Sequence, residues 1–279
     1  MTFGSRLAEA VGARGRLCAG IDPHRGLLQD WGLPDSVEGL ERFAMVAVEA
    51  LGPVCAVVKP QSAFFERHGS RGVAVLERVV RGCREQGALV LLDVKRGDIG
   101  STVQAYADAY LDPASPLAAD AVTASPFLGL GSLDPLVATA HAHDAGVFVL
   151  ALTSNPEGRQ VQHARTPDGR SVAAEILAGL ADRNAAAAGS AAGSLGAVVG
   201  ATVELPSDVT AASLDIGGPL LVPGIGAQGG TLADVRRVFG AAAGRVLPSS
   251  SREILRAGPA PAALRDAARR TAETFAVLG

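Results

Sequence analysis

Lysine is nearly absent from this chain of 279 residues. Lys59 and Lys95 are the only lysines among 25 basic side chains, and the others are arginines. Each lysine lies at the end of a short apolar run that predicts a buried β-strand. A lysine ammonium can give up its proton near neutral pH, whereas an arginine guanidinium cannot. The scarcity therefore indicates two positions that need a compact cation able to titrate.

Cysteine is also scarce. The three cysteines, Cys18, Cys55 and Cys83, have neither an even count nor the spacing of metal ligands, which excludes a disulfide framework and a zinc site. We expect them to be small buried apolar residues in a reducing compartment.

Long apolar runs are missing as well. No run approaches the roughly 18 residues of a membrane span, and residues 1–13 lack the apolar core of a signal peptide. We therefore expect a cytoplasmic protein with no membrane partner.

The chain carries no excess of positive charge. Its formal net charge is -3, and its arginines are scattered among acidic residues along predicted helices. Binding to a phosphate backbone needs a basic stripe, so nucleic acid is not expected as a partner.

Short apolar runs alternate with longer segments that have helical spacing. The runs predict strands near 17–22, 55–60, 89–95, 121–125, 147–154, 197–202, 219–226 and 245–250. Helices are predicted near 36–51, 69–86, 99–110, 132–144, 171–192, 206–214, 231–240 and 260–277.

The predicted strands show no clean polar alternation, which is typical of a parallel sheet covered by helices. Eight such units over residues 1–279 predict a single α/β domain, a (β/α)8 TIM barrel. A doubly wound open sheet is the alternative. It is disfavoured because Gly20-Ile21-Asp22-Pro23 lacks the spaced glycines that bind a dinucleotide after the first strand.

Catalytic groups of such barrels lie at the carboxyl ends of the strands. Polar residues occupy nearly all the predicted ends: Asp22, Lys59, Asp93, Lys95, Ser125, Thr153, Ser154, Thr202, Gln228 and Arg252. This set predicts a site for a polar, anionic small molecule.

The segment from Asp93 to Thr102 concentrates charge. Asp93 and Lys95 are two residues apart on a strand, so their side chains are expected on one face, with Lys95 as an acid and Asp93 as its electrostatic partner. A solvated ion pair is the alternative. Asp98 lies where the next helix should begin, and the alternative to a catalytic role is an N-cap.

Two late segments predict a phosphate site. Glycines in 223–230 allow the backbone to approach an anion, and Arg252 follows the eighth strand at the start of a helix. A plain tight turn is the alternative for the glycine segment.

Together these residues resemble a known family. Asp93-x-Lys95-x-x-Asp98-Ile99-x-x-Thr102 is similar to the signature of orotidine 5'-phosphate decarboxylases, and the resemblance extends from the first strand to the eighth. It implies that Asp22 binds ribose, that Lys59 completes a charged network, and that Ser154 reads the pyrimidine. Thr202, Gln228 and Arg252 resemble late-barrel and phosphate-binding positions of the family.

The sequence departs from the usual pattern of the family at two places. Many shorter members have glycine after the second-strand lysine, whereas Lys59-Pro60 resembles the longer bacterial branch. Ser251 stands where glycine usually precedes the phosphate-binding arginine.

The resemblance implies conversion of orotidine 5'-phosphate to UMP and CO2, the last step of de novo UMP synthesis, with no metal or organic cofactor. Lys95 would stabilise and protonate C6, and residues 155–169 would form a lid. It also implies an obligate homodimer in which Asp98, Ile99 and Thr102 enter the partner's active site.

Three other functions remain as alternatives. A magnesium-dependent sugar-phosphate decarboxylase or epimerase shares the motif but carries an acidic ligand where Lys59 stands. A Schiff-base aldolase would use a desolvated lysine without flanking carboxylates. A non-catalytic nucleotide-binding barrel protein would bind without turnover.

Overall fold

The computed structural model describes residues 1–187, 192–226 and 229–278. Eight parallel strands there pair in sequence order and close into a barrel. They are β1 (Cys18–Ile21), β2 (Val57–Pro60), β3 (Leu89–Arg96), β4 (Ala121–Ala124), β5 (Gly146–Leu152), β6 (Leu195–Val199), β7 (Leu220–Val222) and β8 (Val246–Ser250). Because β1 pairs with both β2 and β8, the predicted barrel is confirmed and the doubly wound alternative is wrong.

Helices separate most of the strands. The α-helices are α1 (Phe3–Arg14), α2 (Arg25–Asp30), α3 (Val37–Leu51), α4 (Ala63–Glu66), α5 (Gly69–Glu85), α6 (Gly100–Leu111), α7 (Asp134–Ala142), α8 (Arg159–Gln162), α9 (Val172–Ala187), α10 (Leu232–Phe239), α11 (Arg252–Leu255) and α12 (Pro261–Phe275). Short 3-10 helices cover Leu130–Leu133, Pro156–Gly158, Gly240–Arg245 and Ala276–Leu278.

The helix expected near 206–214 is wrong, because this segment forms turns between β6 and β7. Local side-chain bonds explain the error. The Thr210 amide donates to Ser213 Oγ at 3.1 Å, and the Ser213 amide donates to Thr210 Oγ1 at 3.4 Å. Such bonds offer the backbone an alternative to helical hydrogen bonds.

Helix α1, which the pattern did not predict, seals the amino-terminal mouth of the barrel. Phe3 and Leu7 are buried in the interior cluster with Phe148, and the two phenyl rings meet edge to face with centroids 6.0 Å apart. Gly146 makes room for this contact, since a Cβ there would lie 2.4 Å from the Phe3 ring. The opposite mouth, at the carboxyl ends of the strands, holds the cavity described below.

A second apolar layer lies between the strands and the surrounding helices. It includes Phe43 and Leu51 of α3 and Val75 and Val79 of α5, all fully buried. Each such side chain stabilises the fold by about 1.5 to 3 kcal/mol. Within the described ranges, the helices fall short of the length and apolar character needed to cross a membrane.

Candidate active site

A cavity of about 360 Å³ opens at the carboxyl ends of the strands. Six residues that the sequence predicted at strand ends line its wall, namely Asp22, Lys59, Asp93, Lys95, Thr153 and Arg252. The carboxyl ends of five different strands therefore bring together groups that are up to 230 positions apart in the chain.

Lys59, Asp93 and Lys95 form a continuous charged array. Lys59 Nζ lies 2.9 Å from Asp93 Oδ2, and Lys95 Nζ lies 2.6 Å from Asp93 Oδ1. The side chains of Lys59 and Asp93 are each only 8% exposed, whereas that of Lys95 is 44% exposed at the mouth. The outer lysine can thus meet a ligand while the inner pair stays shielded.

Opposite charges keep the inner pair, Lys59 and Asp93, ionised. Burial by itself raises the pKa of the Asp93 carboxyl, but the ammonium groups of Lys59 and Lys95 outweigh it and hold that pKa at about 2. Burial would lower the pKa of Lys59, yet the carboxylates of Asp22 and Asp93 reverse this and hold it above the ordinary value. Both groups are therefore charged at neutral pH.

Two residues that the sequence analysis did not single out complete the contacts of Asp93. Thr123 Oγ1 donates to Asp93 Oδ1 at 2.8 Å and accepts from the Lys95 amide at 2.9 Å. The Gln61 amide is oriented by its neighbours, with its nitrogen donating to Asp93 Oδ2 and its oxygen accepting from Lys95 Nζ at 3.3 Å. The sequence signal that could have identified Thr123 was a polar residue inside the apolar run 121–124.

The backbone of Lys95 departs from a regular strand. Its φ is 47°, in the left-handed region that residues other than glycine rarely occupy. The pairing of β3 with β4 is also irregular between Leu92 and Arg96. The expected meeting of Asp93 and Lys95 is observed, but a bulged and strained backbone produces it.

Asp98, Ile99 and Thr102 do not line the cavity of their own chain. Helix α6 is capped by Ile99 without a side-chain bond, and the Asp98 carboxylate only accepts from the adjacent Ile99 amide at 2.8 Å. The N-cap interpretation of Asp98 is therefore wrong. Ile99 is 61% exposed, and Thr102 is exposed beside it.

Asp22 and Ser251 present polar atoms to the cavity. Asp22 Oδ1 and Ser251 Oγ are buried, and neither has a hydrogen-bond partner among the described residues. Buried polar atoms usually find a partner. These two oxygens are suited to bind hydroxyl groups or other polar groups of a ligand.

The end of the cavity near β7 and β8 is built from glycine and arginine. Gly224 lines the cavity with a φ of 93°. Gly226, which is not part of the lining, has a φ of 71°, and a Cβ there would collide with the Glu253 carboxylate. Arg252, the first residue of α11, lines the same cavity. Gln228, the other predicted phosphate ligand, lies outside the described residues.

Ser154 and Thr202 are exposed and are not among the residues lining the cavity. Thr153, next to Ser154, does line it. The segment 155–169 carries the 3-10 helix Pro156–Gly158 and α8, and Arg159 of α8 lies 2.7 Å from Glu204 in an ion pair.

His24 and Phe64 form another wall that the sequence analysis missed. Their rings are 4.3 Å apart in an edge-to-face contact. Burial lowers the pKa of His24, Asp22 acts to raise it and Arg252 to lower it. His24 thus lies between the acidic and the basic ends of the cavity.

The Asp93 pKa leads to a prediction about acid stability. Because the folded pKa lies below the ordinary value, the ionised carboxylate stabilises the fold above about pH 4, and this contribution is lost as the pH falls toward about 2. Asp93→Asn should cost about 3 to 5 kcal/mol at neutral pH, since Lys59 would lose its buried partner.

The free energy of unfolding of both proteins, measured with denaturant, tests this. The difference between wild type and Asp93→Asn should shrink by about 1 kcal/mol from about pH 5 to about pH 3. Asp134→Asn, which alters an exposed carboxylate, is the control and should show no comparable change. An Asp93→Asn difference that does not vary with pH would contradict the proposed ion pairing.

No group of three or more His, Cys, Asp or Glu side chains is arranged to hold a metal ion in the part of the chain that the structure describes. The polar groups that face the cavity are instead suited to an organic anion.

Known proteins resemble this chain over nearly its whole length. The model of the family described as orotidine 5'-phosphate decarboxylase / HUMPS matches residues 15–267. An orotidine 5'-phosphate decarboxylase of a Nocardioides species is 64% identical over 272 residues, which cover 96% of this chain and 97% of the relative.

Solved structures of orotidine 5'-phosphate decarboxylases are also similar to this chain. A crystal structure from Streptomyces avermitilis, assigned as an orotidine 5'-phosphate decarboxylase, has a TM-score of 0.94 and 59% identity, covering 100% of this chain and 96% of that one. The OMP decarboxylase of Leishmania donovani has a TM-score of 0.78 and 31% identity, covering 100% of this chain and 99% of its own. The chain therefore belongs to the orotidine 5'-phosphate decarboxylase / HUMPS family.

Proposed function

We propose that this protein decarboxylates orotidine 5'-phosphate to UMP and CO2, the last step of de novo pyrimidine synthesis. The observation that carries the proposal is the Lys59–Asp93–Lys95 array at the mouth of the barrel. The proposal is supported by membership of the family and by relatives that are named orotidine 5'-phosphate decarboxylase.

The reaction needs what such an array provides. Loss of CO2 from C6 of the pyrimidine leaves a carbanion in the ring plane, and no adjacent carbonyl can take up its charge. Fixed cations in a water-poor site can stabilise this charge without reorganising. The chemistry thus requires no metal or organic cofactor.

We assign the chemical step to Lys95 and Asp93. The partly exposed Lys95 ammonium stabilises the developing charge and then donates its proton to C6. Asp93 lies beside the departing carboxylate and holds Lys95 in place through the 2.6 Å contact. Lys59 neutralises the other oxygen of Asp93.

We propose that Asp98 acts in the site of a second copy of the chain. Its carboxylate lies outside the cavity of its own chain, and Ile99 beside it is exposed. Phe127 and Leu128, on the loop after the neighbouring strand β4, are also exposed, at 76% and 52%. An apolar surface of this kind supports a homodimer in which Asp98, Ile99 and Thr102 reach the partner's substrate.

The remaining groups are assigned to substrate binding. Asp22 binds ribose, and Arg252 together with Gln228 binds the 5'-phosphate. Ser154 and Thr202 contact the substrate only once the segments 155–169 and 202–208 close over the base. We further propose that the enzyme is cytoplasmic, in keeping with its three free cysteines, and that it binds neither nucleic acid nor membranes.

The contacts of the lysines disfavour a Schiff-base aldolase. Lys59 and Lys95 both pair with Asp93, and the pKa of Lys59 is held above its ordinary value. A Schiff base requires an uncharged amine.

Arg252→Ala should raise the KM for orotidine 5'-phosphate by about 10- to 100-fold, because a charge-assisted bond to the phosphate is lost. Arg256→Ala, which changes an exposed arginine one helical turn further along, is the matched control. Calorimetry should show weaker UMP binding and unchanged uridine binding for Arg252→Ala. UMP binding at the wild-type affinity would refute the phosphate assignment.

The direct test of the function follows the ultraviolet absorbance of the orotate ring with purified protein and orotidine 5'-phosphate. The absorbance should decay at the same rate with and without a strong chelator, and UMP should be the product. Loss of activity in the chelator would favour the magnesium-dependent alternative, and a stable absorbance would refute the proposed function.

A further inference from the structure

A second polar network lies behind the charged array, on the outer side of the barrel strands. We call Arg96, Glu66 and Ser62 the Arg96 clamp. Arg96 Nη2 donates to Glu66 Oε1 at 2.6 Å, and Ser62 Oγ donates to the same oxygen at 2.5 Å. Arg96 Nη1 donates to the Val94 carbonyl at 3.0 Å.

The clamp joins the two chain segments that carry the array. Ser62 and Glu66 follow Lys59 through α4, and Arg96 ends β3 just after Lys95. A backbone bond runs in parallel, because the Ser62 amide donates to the Asp93 carbonyl at 3.2 Å. The ends of β2 and β3 are thus fastened together at the level of the lysines.

Two aromatic rings hold the guanidinium of Arg96 from another side. Its central carbon lies 5.7 Å from the ring centre of Tyr106 and 6.0 Å from that of Tyr110. Both tyrosines belong to α6, the helix that follows Asp98. Stacking on aromatic faces together with a forked hydrogen-bond pattern is specific to arginine.

Lys95 requires such support. Its left-handed backbone, with φ of 47°, is costly for a lysine and persists only when its surroundings determine it. The Arg96 side-chain bond to the Val94 carbonyl fixes the peptide group just before Lys95, and the Ser125 amide bond to the Arg96 carbonyl, at 2.8 Å, fixes the peptide group just after Arg96. The clamp therefore holds the backbone next to the residue whose ammonium group enters the charged array.

We propose that Arg96 is a positioning residue for Lys95, acting with Glu66 through the backbone of β3. This inference rests on the proposed function, because its consequence is a slower chemical step. Binding of the nucleotide depends on other groups and should not depend on the clamp.

Arg96→Met and Glu66→Gln test the inference in the full chain. Arg96→Met is expected to lower kcat by roughly 100-fold, since a misplacement of about 1 Å has effects of that size, while KM and UMP affinity stay near wild type. Glu66→Gln should lower kcat less, and Arg96→Lys should recover part of the loss because it keeps the charge but not the fork.

Arg183→Met is the matched control. Arg183 is 31% exposed, against 30% for Arg96, and it also binds one carboxylate and one backbone carbonyl, those of Asp134 and Gly179. It lies on α9, outside the cavity wall. The kcat of Arg183→Met should equal the wild-type value.

The outcomes separate the two proposals. A wild-type protein that does not decarboxylate orotidine 5'-phosphate counts against the proposed function. If the wild type is active, a wild-type kcat in Arg96→Lys and Glu66→Gln overturns the positioning role, even should Arg96→Met fail to fold. A loss of UMP affinity in step with kcat overturns it as well, because that pattern indicates general damage to the fold.

Discussion

Replacing Lys95 by alanine is expected to lower kcat by at least about 10⁴-fold, because the variant loses the residue to which we assign both stabilisation of the carbanion and protonation of C6. Lys95 is the member of the array that reaches the mouth of the cavity, with 44% of its side chain exposed. UMP should still bind, since Asp22 and Arg252 are unchanged. Release of CO2 and binding of UMP, measured on the same preparation, check the two halves of this expectation.

Lys95→Arg separates the two roles that we propose for Lys95. Arginine keeps a positive charge near Asp93 but cannot give up its proton at neutral pH. If protonation of C6 depends on residue 95, Lys95→Arg should be almost as slow as Lys95→Ala. Turnover within about tenfold of wild type in Lys95→Ala would contradict the assignment, since general acid catalysis alone contributes about 10² to 10⁴.

Combining an Asp98→Ala chain with a Lys95→Ala chain is expected to restore activity. Each variant alone should be slowed by at least about 100-fold, as is usual when one electrostatic group of a site is lost. In a heterodimer purified through two different affinity tags, one site keeps Lys95 from one chain and Asp98 from the other. That heterodimer should reach about half the wild-type rate per dimer, because one of its two symmetric sites is intact.

The reciprocal pair is the control for this experiment. A wild-type chain combined with a Lys95→Ala/Asp98→Ala chain should give an almost inactive heterodimer, because each site then lacks one of the two groups. If Asp98 instead serves the site of its own chain, the activities of the two heterodimers are exchanged. That exchange, or a protein that stays monomeric, would refute the shared site.

The sequence was sufficient to predict the barrel. A parallel strand buried on both faces is apolar throughout, so all eight strands could be located from composition, and each observed strand overlaps a predicted one. The prediction of a helix at 206–214 was wrong because hydrogen bonds of the Thr210 and Ser213 side chains replace the helical ones. Helix α1 was missed because its apolar side chains fill the barrel interior, a space that exists only after the strands close.

Part of the candidate site was predictable for a similar reason. Polar residues at the ends of apolar runs must lie at one mouth of a barrel, which located Asp22, Lys59, Asp93, Lys95 and Arg252. Thr123, Gln61 and His24 were missed, because whether their side chains turn toward the cavity depends on the register of neighbouring strands and on the loops that follow them. The left-handed backbone of Lys95 has no sequence signal, since lysine does not favour it.

The sequence by itself therefore determined the kind of fold, the family and the identity of the charged groups, because these depend on which residues follow each strand. Only the tertiary structure decided how these groups contact one another. Closure of the barrel placed Lys59 and Lys95 on opposite oxygens of one carboxylate, and this contact sets the charges of the buried pair. It also left Asp98 outside its own cavity, because a bulged strand end and the start of α6 turn this part of the chain away from the mouth.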